Sequence, residues 1–192
     1  MKQVDIWNKR FQESNKHRND DPRWIEKYWQ FFVAGKDNEI LDLGCGRGHN
    51  SFYLYNRGFN VAACDFSAAA IDTIKNSGKH INACCLDMLE SLPFESDNFG
   101  IVLASLSTHY FKQSDTKKLY STIYDILKPG GYFILRVNSY REYLNKDIFE
   151  LQCEIEPDYY ELKDGTTKRY FTVDSLTSML KKFNIIQMEE DT

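Results

Sequence analysis

The sequence predicts a doubly wound α/β domain of three layers, a mostly parallel sheet with helices on both faces. Three observations predict it. Apolar strand-like runs alternate with amphipathic helical stretches from residue 39 onward, the pattern of successive βαβ units. The run Ile40-Leu41-Asp42-Leu43 opens into Gly44-Cys45-Gly46-Arg47-Gly48 and then a helix, a tight turn that offers backbone N–H groups and a helix start to a nucleotide-like ligand. Finally, Asp42, Asp65 and Asp87 close three consecutive strand-like runs, at the end of the sheet where open α/β folds hold their ligands.

Each element has its own justification. Trp24–Val33 is rich in aromatic residues and is expected to pack as a helix on one sheet face. Glu39–Leu43 is the first strand, and His49–Asn56 continues from the glycine turn as a helix stopped by Gly58. Asn60–Cys64 is the second strand; Ser67 caps the helix after it, which again ends at a glycine. Ile81–Leu86 is the third strand. Phe99–Leu106 is continuously apolar, as a central strand buried on both faces must be. Ser114 or Asp115 caps a helix through Leu127, with Leu119, Ile123, Ile126 and Leu127 on one face. Pro129-Gly130-Gly131 breaks it, and Tyr132–Val137 is the fifth strand. Asp164-Gly165 marks a hairpin between Tyr159–Lys163 and Lys168–Phe171. Thr172 caps a last helix through Phe183, and Ile185–Glu189 is a final strand. The chain divides into an N-terminal helical segment, residues 1–36, and one domain over 37–192 with an insertion at about 140–171.

Composition narrows the class. The chain has 192 residues, 42% hydrophobic and 27% charged, ordinary values for one soluble domain with a full core. Its net charge of −4 argues against a nucleic-acid partner. The first 36 residues carry +3 and the remainder −7, so the N-terminal arm has its own sign. No apolar run approaches the ~20 residues of a membrane span, and the N-terminus lacks the apolar stretch of a signal peptide. A cytoplasmic protein with no membrane partner is expected. Cys45, Cys64, Cys84, Cys85 and Cys153 form no C-x-x-C pair and have no companion histidine cluster, so no metal site or disulfide framework is expected.

The spacing of the glycines carries most of the functional content. They fall as G-x-G-x-G, and His49 stands where a dinucleotide fold places its third glycine. That favours an adenosylmethionine pocket over an NAD pocket. A carboxylate ending the second strand can accept both ribose hydroxyls, and one ending the third can accept from an adenine amino group. Asp42 can offset a ligand's positive amino group. The competing reading, for each acid taken alone, is a helix cap or turn former; all three in register with the glycine turn favour the ligand.

The chain resembles the class I S-adenosylmethionine-dependent methyltransferases over roughly residues 36–140. ILDLGCGRGHNSFYL is similar to the glycine motif of that family, VAACDFSAAAI to its ribose motif, CCLDMLESLPFESDNFGIVLASLSTHYF to its adenine and active-site motifs, and ILKPGGYFILRVNS to its fifth-strand block. Among the members it looks most like the small-molecule, tellurite-resistance-type enzymes. The resemblance implies a strand order of 3-2-1-4-5 and S-adenosyl-L-methionine as cofactor, leaving S-adenosyl-L-homocysteine as product. It implies that Gly44, Cys45, Gly46, Gly48 and Asn50 approach the methionine moiety, with Asp42 near its amino group. It also implies that Asp65 holds the ribose, that Phe66, Asp87, Met88 and Leu89 surround the adenine, and that Ala104 and Ser105 pass beneath the sulfonium.

Methyl transfer from a sulfonium needs chiefly a positioned nucleophile, exclusion of water and removal of a proton. His109 and Tyr110, in the loop after the fourth strand, are the catalytic candidates: His109 as general base or substrate orienter, Tyr110 as pocket wall. Trp7 and Arg10 are candidate lid contacts over the cofactor, where an aromatic ring gains cation–π attraction to the sulfonium. The insertion, with Tyr140, Tyr143, Tyr159, Tyr160 and Tyr170, is expected either to cover the substrate or to serve as a structural hairpin. The family's sheet carries two further strands after the fifth, whereas this chain offers only Ile185–Glu189, so its C-terminal edge is expected to be atypical or incomplete. Hairpin 159–171, a dimer partner or a sparse sheet edge is expected there. The expected acceptor is a small molecule and the expected state a monomer or homodimer. Two alternatives stand beside this: a non-catalytic adenosylmethionine-binding protein acting through a partner, and an NAD-dependent oxidoreductase.

Overall fold

The computed structural model describes residues 3–13, 21–35, 38–143 and 150–190. Five parallel strands form the central sheet: β1 (Ile40–Leu43), β2 (Val61–Asp65), β3 (Asn82–Cys85), β4 (Phe99–Ser105) and β5 (Leu127–Arg136), in the order β3-β2-β1-β4-β5. The winding reverses between β1 and β4, with β2 and β4 flanking β1 on its two sides, so a crevice opens beyond the carboxyl end of β1. β1 and β2 are buried throughout and β4 nearly so, as strands covered on both faces must be.

Two apolar layers cover the sheet. On one face Ile25, Phe32, Leu54, Phe59, Ile71 and Ile74 pack against Ile40, Val61, Ala63 and Ile101. Apart from Phe59, between α3 and β2, they come from a 3-10 helix (Pro22–Tyr28) and the helices α2 (Trp29–Ala34), α3 (His49–Tyr55) and α4 (Ala68–Lys75), so the aromatic segment packs where the sequence predicts. On the other face Leu119, Tyr120, Ile123 and Ile126 of α5 (Gln113–Ile126) and Met179 of α7 (Val173–Met179) pack on Leu41, Leu43, Val102 and Ala104. Ser67 caps α4 through Ala70 N–H, and Thr172 forms a capping box with Ser175 on α7.

Several sequence expectations change. α5 begins at Gln113 with Lys112 as its N-cap, not at Ser114 or Asp115; the Gln113 N–H is satisfied from a distance by the Glu156 carboxylate. Pro129-Gly130-Gly131 does not separate helix from strand. α5 runs straight into β5, and the three residues form an irregularity inside the strand, where the register passes from Phe99↔Leu127 to Ile101↔Tyr132. Gly131 is required there, since a Cβ would lie 2.9 Å from the Gly100 carbonyl oxygen. The last helix stops at Met179, and Ile185–Glu189 is irregular rather than a strand.

The insertion is a separate antiparallel sheet of β6 (Leu151–Glu156), β7 (Tyr159–Leu162) and β8 (Thr167–Arg169). The expected hairpin is therefore present, but it does not extend the main sheet. Among the described residues the outer edge of β5 has no strand beside it. A cavity of about 1370 Å³ runs along that edge, walled by Tyr132–Val137 and by residues 184–190.

Two short elements complete the frame: α1 (Gln3–Glu13), which has no buried residue, and α6 (Tyr140–Glu142) after β5. No helix among the described residues is long and apolar enough to cross a membrane.

Candidate functional site

The turn after β1 is built on three glycines in the left-handed region, Gly44 (φ 72°), Gly46 (φ 53°) and Gly48 (φ 81°). At Gly44 the requirement is also one of space: a Cβ would fall 2.4 Å from the Ser107 Cβ and 2.9 Å from the Met88 Cε. Backbone N–H groups of Gly44 and Cys45 both donate to the Cys64 carbonyl, at 2.8 and 3.0 Å, which ties the turn to the end of β2. Gly48 caps α3.

Two carboxylates are buried beside this turn. Asp42 is 1% exposed, and the Ser51 hydroxyl donates to it at 2.5 Å. Burial pushes its carboxyl up to about 6, helped by the nearby charge of Asp65 and opposed by the Ser51 hydrogen bond. Asp65 accepts from the Gly46 and Ser67 amides, both at 2.9 Å, one on each oxygen. Burial raises its carboxyl too, against those two hydrogen bonds. Cys45 lies in the field of both acids, and burial first and their charges next push its thiol well up. Two buried carboxylates beside one turn, with no ion pair to either among the described residues, suit a cationic ligand.

The remaining candidates sort by position. Asp87 is exposed, two residues past β3, and accepts from the Leu89 N–H at 2.9 Å; Met88 between them packs toward Gly44. Ser105 is half-buried at the end of β4, whereas Ala104 is wholly in the core. Phe66 is half-buried, with its carbonyl accepting from the Cys85 thiol. Asn50 is turned to another task, accepting from the Trp24 indole N–H at 3.2 Å. His109 and Tyr110 lie on the 3-10 turn Thr108–Tyr110, with ring centroids 4.1 Å apart; His109 is 1% exposed and Tyr110 half-buried.

α1 lies across this region. Trp7 meets Tyr110 edge-on at 5.0 Å, and the Phe11 ring lies 3.5 Å from where a Gly46 Cβ would sit. Arg47 donates to the Phe11 carbonyl, and the Ser67 hydroxyl donates to the Asn8 carboxamide oxygen at 2.6 Å. Arg10 stacks over Trp7 and pairs with Asp164 at the β7–β8 turn, where Gln3 also reaches the Gly165 carbonyl. Trp7 thus stands over the 3-10 turn, while Arg10 fastens the helix instead of facing the glycine turn. The insertion is tied in as well: the Tyr159 and Thr167 hydroxyls both donate to the Tyr110 carbonyl, at 2.9 and 2.8 Å.

Sequence reasoning missed Ser51, Ser107, Asn8 and Asp164. Ser51 carried a readable signal, one helical turn into α3 behind the glycines. Ser107, whose hydroxyl donates to the Leu43 carbonyl at 2.8 Å, carried none, because only the fold brings β1 and the end of β4 together.

Comparisons with known proteins agree with this geometry. Residues 40–131 match the methyltransferase-domain family. That stretch, just under half of the chain, resembles a methyltransferase domain. It is 24% identical over 180 residues to the tRNA N(3)-cytidine methyltransferase METTL2 of Gallus gallus, covering 85% of this chain and 47% of that protein. It is 28% identical over 157 residues to the mitochondrial arginine-hydroxylase NDUFAF5 of Danio rerio, covering 79% of this chain and 46% of that one. The chain thus spans about half the length of these relatives. The 1,6-didemethyltoxoflavin-N1-methyltransferase of Burkholderia thailandensis, solved with its acceptor and S-adenosylhomocysteine, superposes with a TM-score of 0.68 at 16% identity, over 93% of this chain and 74% of that one. That likeness concerns the fold.

One expectation is overturned. Relatives that act on tRNA contradict the exclusion of nucleic acid as a partner. A net charge averages over the whole surface, whereas binding RNA requires only a local basic patch.

Proposed function

We propose that the protein binds S-adenosylmethionine in the crevice after β1 and transfers its methyl group to an acceptor entering beside Tyr110. The observation that carries this reading is the pair of buried carboxylates, Asp42 and Asp65, closing on a turn of three left-handed glycines. In this reading Asp42 faces the cationic amino group of the ligand and the Gly44–Gly48 turn accommodates its methionine chain. Asp65 accepts from the ribose hydroxyls while holding the turn through Gly46, and Asp87 and Met88 bound the adenine. Trp7 and Tyr110 close over the sulfonium, and the inversion at carbon is driven by positioning and water exclusion. His109 removes a proton where the acceptor carries one.

For the acceptor, the tRNA-modifying relatives support a nucleobase nitrogen, whose lone pair attacks the methyl carbon directly. Isothermal titration with S-adenosylhomocysteine tests the cofactor. Tritium transfer from labelled S-adenosylmethionine to unmodified tRNA, with nucleoside analysis of the product, tests the acceptor. Micromolar binding and label at cytidine support the reading; no binding, with NADH binding instead, overturns it.

The hydroxylase among the relatives favours a second reading, in which the same pocket serves chemistry other than methyl transfer. Tight cofactor binding with no label transferred to RNA, protein or small molecules would select it. A cytoplasmic location belongs to the proposal and is tested by cell fractionation.

A further inference from the structure

The parallel pairing of β2 with β3 sets Cys64 directly beside Cys84 and Asp65 beside Cys85. Paired residues on neighbouring strands project to the same face with Cα atoms about 4.8 Å apart, within the ~4.4–6.8 Å window of a disulfide. Both side chains belong to the same apolar layer on one face of the sheet. Cys64 is wholly buried, while Cys84 lies half-buried on the edge strand of the sheet. The methyl-transfer proposal uses neither sulfur.

We propose that Cys64 and Cys84 form a peroxide-oxidisable dithiol, with Cys84 the attacking sulfur and Cys64 the resolving one, whose disulfide weakens the adjoining cofactor pocket. The Cys64 thiol beside it holds the Cys84 thiol down to about 7, and the Lys75 ammonium adds to this, while burial opposes it. Cys45 and Cys85 are the other titratable groups whose fields meet Cys84. Cys64 is pushed well up by the Cys84 thiol beside it and by its burial, so it stays protonated. In the first step the Cys84 thiolate attacks hydrogen peroxide, the O–O bond breaks, and sulfenic acid and hydroxide result. In the second, the Cys64 sulfur displaces the sulfenic oxygen, its proton leaves with that oxygen as water, and the S–S bond forms.

The consequence for the pocket rests on the cofactor reading above. The Cys64 carbonyl holds the Gly44 and Cys45 amides, and Asp87 and Met88 follow Cys84 by three and four residues. Drawing β3 onto β2 therefore moves both walls of the same crevice.

The test treats the reduced, full-length protein with hydrogen peroxide, blocks remaining thiols in acid, and maps peptides by mass spectrometry. The expected result is a Cys64–Cys84 linked peptide lacking two hydrogens, reversed by dithiothreitol. Iodoacetamide alkylation of Cys84 should show a midpoint near pH 7 in the untreated protein, shifted upward in Cys64→Ala. S-adenosylhomocysteine affinity should fall by about tenfold or more on oxidation. Sulfinic acid at Cys84 without a link, or a link to another cysteine, overturns the proposal. An unchanged affinity in the linked protein overturns its coupling to the pocket. Should Cys64→Ala not fold, the peptide map of the natural sequence decides alone. Failure of the reduced protein to bind S-adenosylhomocysteine overturns the cofactor reading and leaves the disulfide result standing.

Discussion

Asp42 illustrates a cost built into the domain. Its folded pKa of about 6 lies above the ordinary aspartate value of 3.8, so the folded state holds its proton more tightly than the unfolded chain does. Stability linked to this group is therefore full below pH 4 and falls as pH rises through 6, a difference of about 3 kcal/mol at neutrality. Asp42→Asn keeps a partner for Ser51 and removes the buried charge. It should raise the melting temperature at pH 7.5 much more than at pH 4, while reducing S-adenosylmethionine affinity at least about tenfold; thermal melts at the two pH values and calorimetry check both. The glycines allow a second comparison. Gly44→Ala meets Ser107 and Met88, whereas Gly58→Ala, at φ 83°, meets nothing within 4 Å. Chemical denaturation should show about 1–2 kcal/mol lost at Gly58 from backbone strain alone, and a larger loss together with cofactor affinity at Gly44. The acids and glycines of this site were legible in the sequence because their spacing alone places them. Ser107 and Asn8 were not, since each meets the site only through a contact made by folding.

The elements that failed expectation did so for identifiable reasons. β6 was readable in principle, since Leu151-Gln152-Cys153-Glu154-Ile155-Glu156 alternates strictly, the period of a half-buried strand. The start of α5 was not, because its first N–H is capped by Glu156, 43 residues away in sequence. That same carboxylate pairs with Arg169, whose side chain is 4% exposed. Glu156→Ala would strip a helix cap and leave a buried cation without its carboxylate. It should cost about 3 kcal/mol or more, with Arg169→Met in the same background recovering much of it; urea denaturation of the single and double variants decides. α1 is the opposite case. With no buried side chain it has little to hold it closed in isolation, so amide exchange over residues 3–13 should be fast without ligand and slowed by S-adenosylhomocysteine. Equal protection in both states would argue against a lid.

For the molecule as a whole, the sequence already specified the parallel sheet, its helix-covered faces and the crevice at the switch point, because buried strands and glycine turns are local patterns. The sheet edge was not legible, since the apolar run Ile185–Glu189 has the composition of a strand and yet only lines a cavity beside β5. Binding confined to the folded state should be visible globally: S-adenosylhomocysteine at a hundredfold excess over its Kd should stabilise the protein by about 2.7 kcal/mol, read as a concentration-dependent melting temperature. The fastening of α1 has a wider consequence. Its anchors are Ser67 on the cap of α4, Arg47 in the glycine turn, Tyr110 after β4, and Asp164 in the insertion, 154 residues along the chain from Arg10. No single one of these is strong, and the ion pair is exposed enough to be screened by salt. In the proposed reading the helix settles only when these four remote parts of the chain are in register, and Asp164→Ala is expected to speed amide exchange over residues 3–13. As a cover it would then report on the assembled site as a whole, and raising the ionic strength is expected to speed that exchange further.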